Sequence, residues 1–173
     1  RVIKLLLCLV WKEPRLAKKI LDPLVKIMRT AETKSWLFEA IQGISQCLIY
    51  MSVKPGSKLE HEVNKVAELE LAKLMEFVQD SDPNHKYLGL CGLVKLVKVA
   101  PAIVAKKSFV FVTCLNANDS TVRSKALTII QCIANKKNLK NLVEDLVKCL
   151  HKSTEIEMRE GIGAGIIDMG SRN

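Results

Sequence analysis

A chain of 173 residues is long enough for one domain with a real core. Hydrophobic residues make up 49% and aromatics only 5%, a leucine-, valine-, isoleucine- and lysine-rich mixture that excludes a disordered chain and suits helices held by aliphatic packing. The formal charge of +9 leaves nucleic acid, an anionic membrane or an acidic protein as partner classes, beside a plain solubilising face, and the scattered lysines form no long basic run.

The opening RVIKLLLCLVW is charged and then apolar, but it lacks a small-residue cleavage site and is too short to span a membrane. It reads as the inner helix of a repeat, over about 1–11, cut from a longer chain. Pro14 stands near the start of the next helix, and Asp22–Pro23 predicts a kink or restart within it. After a turn near Arg29, a helix is expected over about 33–51. SVKPGSKLE, from Ser52 to Glu60, has the Pro, Gly and Ser content of an exposed loop. A helix over about 61–79 follows. Asp82 is the expected N-cap of the next, with Pro83 at its first position and an end near Val99. Pro101 opens a helix to about Leu115, Asp119 caps one to about Asn135, and another runs from about Asn138 to His151. The last is expected to start at Thr154 or Glu155.

Within this series one pattern recurs. Asp82, Lys86 and Leu90 in DSDPNHKYLGL match Asp119, Arg123 and Leu127 in NANDSTVRSKAL, an acid, a base and a leucine each four apart. The offset is about 37 residues, within the range of helical-pair repeats. Glu155 and Arg159 in EIEMREGIGAG keep the acid-to-base spacing, with Gly163 in the leucine's place. Such charges sit one above the other on a helix, and in a stacked array they can also bridge neighbouring repeats. The leucines point into a shared core. A lone helix pair cannot bury its apolar face, so the pairs stack. The expected fold is all-α: a solenoid of HEAT/armadillo-type repeats, about four to five helix pairs, continuous over 1–173 and truncated at both ends.

Nothing in the sequence converges on a catalytic, cofactor or metal site, and a non-enzymatic chain is expected. His61, His85 and His151 lie far apart with no metal-ligand spacing. Glu60, Glu62, Glu68 and Glu70 read as a solvated helix face. GIGAG, from Gly161 to Gly165, follows no strand and lacks the Lys–Ser/Thr of a phosphate loop, so it reads as close helix packing or a weak last helix. Trp11 and Trp36 are expected to fill grooves between repeats. Cys8, Cys47, Cys91, Cys114, Cys132 and Cys149 form no CxxC and sit among aliphatic residues, as free buried thiols would.

Three stretches carry a family resemblance. EPRLAKKILDPLVKIMRTAETKSWLFEAI, QDSDPNHKYLGLCGLVKLVK and ANDSTVRSKALTIIQCIANKKNLKNLVEDLVKCL resemble the large adaptin chains of heterotetrameric vesicle-coat adaptors. KYLGL followed by ANKKNL is most similar to the delta type, the large chain of the third adaptor complex. The departures are SVKPGSKLEHEVN and the ending GIGAGIIDMGSRN. The resemblance implies a curved helical trunk that holds a small sigma chain and meets the beta and medium chains. It further implies recruitment by an Arf-type GTPase to Golgi or endosomal membranes, and sorting of cargo toward lysosomes or the vacuole. The resemblance places that family's dileucine-contacting residues near the trunk's start, before this segment, so it implies no cargo residue here. The competing expectation is another basic solenoid, a nuclear-transport or nucleic-acid-binding repeat protein, with a continuous basic stripe and steep salt dependence.

Overall fold

The computed structural model describes residues 2–51, 58–152 and 155–172. Local chemistry sets where the helices begin. Thr33, Asp82 and Asp119 have extended backbones, and each side chain accepts from a main-chain N–H of the first turn that follows. Pro83 and Pro101 occupy first-turn positions, where a missing N–H costs nothing.

The described residues form ten helices in chain order: α1 (Val2–Lys12), α2 (Leu16–Thr30), α3 (Lys34–Tyr50), α4 (Lys58–Val78), α5 (Pro83–Val99), α6 (Pro101–Ala105), α7 (Ser108–Cys114), α8 (Ser120–Ile133), α9 (Leu139–Lys152) and α10 (Ile156–Arg172). Four antiparallel pairs result: α2 with α3, α4 with α5, α6 and α7 with α8, and α9 with α10. The second helices of the pairs form one continuous layer, α1–α3–α5–α8–α10, in which each packs on the next. This is the expected all-α solenoid.

The core runs along that layer. Ile41 and Ile44 of α3, Leu90, Leu93 and Leu96 of α5, and Ile129 and Ile130 of α8 are fully buried, with Leu74 of α4 and Phe111 of α7 closing them from the other layer. Close approach of α4 and α5 requires glycine. A Cβ on Gly89 would stand 2.8 Å from Phe77 Cβ and 3.0 Å from the Val78 backbone nitrogen.

Several expectations change. α2 does not restart at Pro23: it is one helix from Leu16 to Thr30, and the Pro23 ring is exposed. Part of the predicted loop, residues 52–57, lies outside the described residues, and α4 is already helical from Lys58. Thr154 also lies outside them. The helix expected from Pro101 to Leu115 is broken at Lys106–Lys107, where two tight backbone turns join α6 to α7. α6 packs on α4, α5 and α8 and α7 on α8, which buries Ile103, Val104 and Phe111 while both lysines stay at the surface.

Trp11 and Trp36 are 69% and 51% exposed, so neither fills an inter-repeat groove. Cys47, Cys114 and Cys149 are buried, but Cys8 and Cys132 are exposed and Cys91 is half-buried; all six are free thiols. Glu62 and Glu68 are exposed as expected, whereas Glu70 is fully buried.

Candidate functional site

The repeated acid–base pattern lands on one edge of the solenoid, where the second helix of each pair begins. Asp82 Oδ1 accepts from Asn84 N at 2.8 Å. Asp119 Oδ1 accepts from Thr121 N at 2.7 Å, Val122 N at 3.4 Å and Thr121 Oγ1 at 2.6 Å. These hydrogen bonds hold the Asp119 carboxyl below the ordinary aspartate value, with Arg123 adding to the effect. Each acid is therefore engaged with its own helix terminus.

Arg123 points onward. Arg123 is 8% exposed, an unusual burial for a guanidinium. Its Nη1 donates to the carbonyls of Ala117 at 2.8 Å and Asn118 at 2.9 Å, and its Nη2 pairs with Glu155 Oε2. One side chain thus ties the α7–α8 turn to the head of α10. A fixed, planar guanidinium is suited to satisfying three acceptors at once.

A second tie joins the first two pairs. Lys34 Nζ, at the head of α3, pairs with Asp80 Oδ2 in the α4–α5 turn. Asp80 Oδ1 accepts from Asp82 N at 3.0 Å, and Oδ2 lies 3.1 Å from His85 Nδ1. The Asp82 N–H and the Lys34 ammonium hold the Asp80 carboxyl well below the usual carboxylate range. His85 is also fixed edge-on to the Phe77 ring, 6.2 Å between centroids. The repeat spacing does not single out Lys34 or Asp80, because they belong to neither matched triplet.

The other predicted positions divide. Leu90 and Leu127 are buried at 0% and 8% exposure and anchor the core. Lys86 is half-buried beside Cys114, not paired with Asp82 four residues before it. Arg159 is exposed on α10. The glycines of that helix are close-packed at one point: a Cβ on Gly165 would lie 2.7 Å from Gln131 Nε2, while nothing lies within 4 Å of one on Gly163.

A buried polar group was not expected. Ser45 Oγ of α3 donates to Glu70 Oε1 of α4, both fully buried. Glu70 Oε2 has no hydrogen-bond partner among the described residues. Burial pushes the Glu70 carboxyl up to about 8, against the Ser45 hydrogen bond and the charge of Lys95. Lys95 itself bonds to Gln42 Oε1. The legible signal is helical spacing: Glu70 follows Val63 and Ala67 and precedes Leu74 on the core face of α4.

The described residues contain no cluster of three His, Cys, Asp or Glu side chains able to hold a metal, and no helix long and apolar enough to cross a membrane. The edge is an array of caps and inter-pair ties. What such an array does chemically is hold the stacking of successive helix pairs.

The model of the adaptin N terminal region matches residues 1–173. The chain belongs to the adaptin family. Among curated relatives, this adaptin segment is 30% identical over 173 residues to AP-3 complex subunit delta-1 of Bos taurus. It is 31% identical over 178 residues to AP-3 complex subunit delta of Schizosaccharomyces pombe, and 32% identical over 171 residues to that of Dictyostelium discoideum. These alignments cover 100%, 100% and 99% of the chain but 14%, 21% and 14% of the relatives. The adaptin segment therefore spans about a fifth or less of their length. A solved structure of an engineered protein superposes with a TM-score of 0.61 at 20% identity, covering 91% of this chain and 67% of that one, a likeness of fold alone.

Proposed function

We propose that this adaptin segment is part of the trunk of a delta-type large subunit in a vesicle adaptor complex, one stretch of a solenoid that continues beyond both ends. It acts without catalysis, as a scaffold in vesicle-mediated intracellular protein transport. The single observation that carries the reading is the family match along all 173 residues, with delta-subunit relatives at about one-third identity across the whole segment.

The geometry is compatible with that role. A scaffold for several partner chains needs a fixed curvature, and curvature in a solenoid follows from the angle between successive pairs. Asp82, Asp119 and Glu155 at helix heads, Lys86, Arg123 and Arg159 one turn on, and Leu90 and Leu127 beneath them are the residues proposed to set it. The partners are the small sigma, beta and medium adaptor subunits, with an Arf-type GTPase recruiting the assembly to the cytoplasmic face of Golgi or endosomal membranes. The complex sorts cargo toward lysosomes or the vacuole.

Affinity purification of the parent chain from cells, with mass spectrometry of what accompanies it, tests this. Near-stoichiometric sigma, beta and medium chains are expected. Recovery of RNA or nuclear-transport cargo in their place overturns the reading and leaves only the solenoid.

A further inference from the structure

The first-helix layer of the solenoid is uneven. α4 packs directly on α6, whereas α2 and α4 do not pack closely on each other. A groove of about 610 Å3 opens between them. Its floor is apolar: Leu21 and Val25 come from α2, one turn apart, and Val66 and Leu69 from α4. Leu69 reaches the surface, at 36% exposure.

The rim is basic. Lys18, Lys26 and Arg29 stand along α2 and Lys65 on α4, against two acids, Asp22 and Glu62. All four cations are exposed, and none joins an ion pair among the described residues.

We propose that this groove receives an acidic amphipathic helix of a partner protein. Between Lys18 and Arg29 on α2 and between Glu62 and Leu69 on α4 the walls are helices whose backbone groups are already paired, so an extended peptide laid along them would find few main-chain partners. A helix satisfies its backbone internally and needs only an apolar stripe, which the floor matches. The lining runs from Lys18 to Thr30 along α2 and from Leu59 to Leu69 along α4, about 15–18 Å at 1.5 Å per residue, enough to bed about three turns. The unpaired cations on both walls select acidic residues flanking that stripe.

The groove is a property of these two helices, whichever assembly the chain enters. Loss of the groove's activity therefore leaves the adaptor reading standing, and a purification without adaptor subunits leaves the groove standing.

The test is fluorescence anisotropy on the intact chain with a labelled peptide of about 16 residues, long enough to be helical. The peptide carries leucines at i, i+3, i+4 and i+7, glutamates only beside that stripe and alanines elsewhere, so that like-charge repulsion does not unwind it. Saturable binding is expected, weakened at least about tenfold by Leu69→Asp and again by Lys26→Glu with Arg29→Glu. Raising salt from about 0.05 M to about 0.5 M weakens it in the parent chain and less in the charge-reversed variant. All three positions are exposed, so circular dichroism of the variants matches the parent. Four results overturn the proposal. They are equal binding of a scrambled peptide with leucines on all faces, undiminished binding by Leu69→Asp, tighter binding of phosphatidylserine vesicles through the same residues, and a homodimer that Leu69→Asp dissociates.

Discussion

Arg123 and Glu155 sit 32 residues apart in sequence and form an ion pair across two helix pairs, with the guanidinium buried and the carboxylate side chain 58% exposed. The pairing is asymmetric in energy. Removing Glu155 leaves Arg123 its two backbone acceptors, while changing Arg123 removes the donor shared by the carbonyls of Ala117 and Asn118 as well as the ion pair. Arg123→Lys is expected to cost about 1–3 kcal/mol, because an ammonium cannot reproduce the planar fork. Glu155→Gln is expected to cost less than about 1 kcal/mol, as exposed ion pairs do. Urea unfolding of both variants checks this, and equal losses would show that the ion pair, not the carbonyl contacts, dominates.

Glu70 makes stability depend on pH. Its carboxyl shifts from 4.5 to about 8 on folding, so between those values the folded chain holds a proton that the unfolded chain has released. The group's contribution is complete below about pH 4.5 and declines as pH rises through about 8. Glu70→Gln is expected to remove that decline and to stabilise the chain at pH 8 by an amount on the order of a few kcal/mol. Thermal melts from pH 5 to about 8.5 measure the slope. A parent and a Gln variant with parallel profiles would show that Glu70 is ionised in the folded chain.

Asp80 acts in the opposite sense. Its folded carboxyl titrates below the unfolded one, so its contribution is present at neutral pH and lost as pH falls through the acid range. Asp80→Asn is expected to lower Tm at neutral pH and to converge with the parent in acid. Lys34→Met should reproduce part of that loss. A neutral-pH Tm unchanged in both variants would mean that the α3-to-turn tie contributes nothing.

Two glycines should respond oppositely to alanine. At Gly89 the new Cβ meets Phe77 and the Val78 backbone, neither of which is a flexible side-chain end, so Gly89→Ala is expected to cost about 1–3 kcal/mol. At Gly163 nothing lies within 4 Å, and Gly163→Ala should gain up to about 1 kcal/mol of helix propensity. Denaturation midpoints of the two variants give the sign directly.

The sequence by itself determined the all-helical class, the caps at Asp82 and Asp119 and the stacking, though not the break between α6 and α7 or the continuity of α2 through Pro23. Helix starts are local events: Asp82, Pro83, Pro101 and Asp119 act within one turn of themselves, so a linear reading finds them. Stacking followed from the repeat, since Leu90 and Leu127 recur at equivalent places and both are buried. The family was legible for the same reason, in stretches that combine caps and core.

Only the tertiary structure decided who pairs with whom. The matched acids and bases allowed ties within a helix or bridges between neighbouring repeats, and the structure chose: Asp82 and Asp119 are held by their own N-termini, and Arg123 reaches forward to Glu155. Lys34 and Asp80 meet across 46 positions without belonging to either triplet. Glu70 looked like one acid among the several on α4, and the partner that meets it in the core, Ser45, comes from α3. Capping is a one-turn interaction and can be read from neighbours in sequence. Burial and long-range pairing depend on how separate helices approach, and that is set by the packing of many side chains at once.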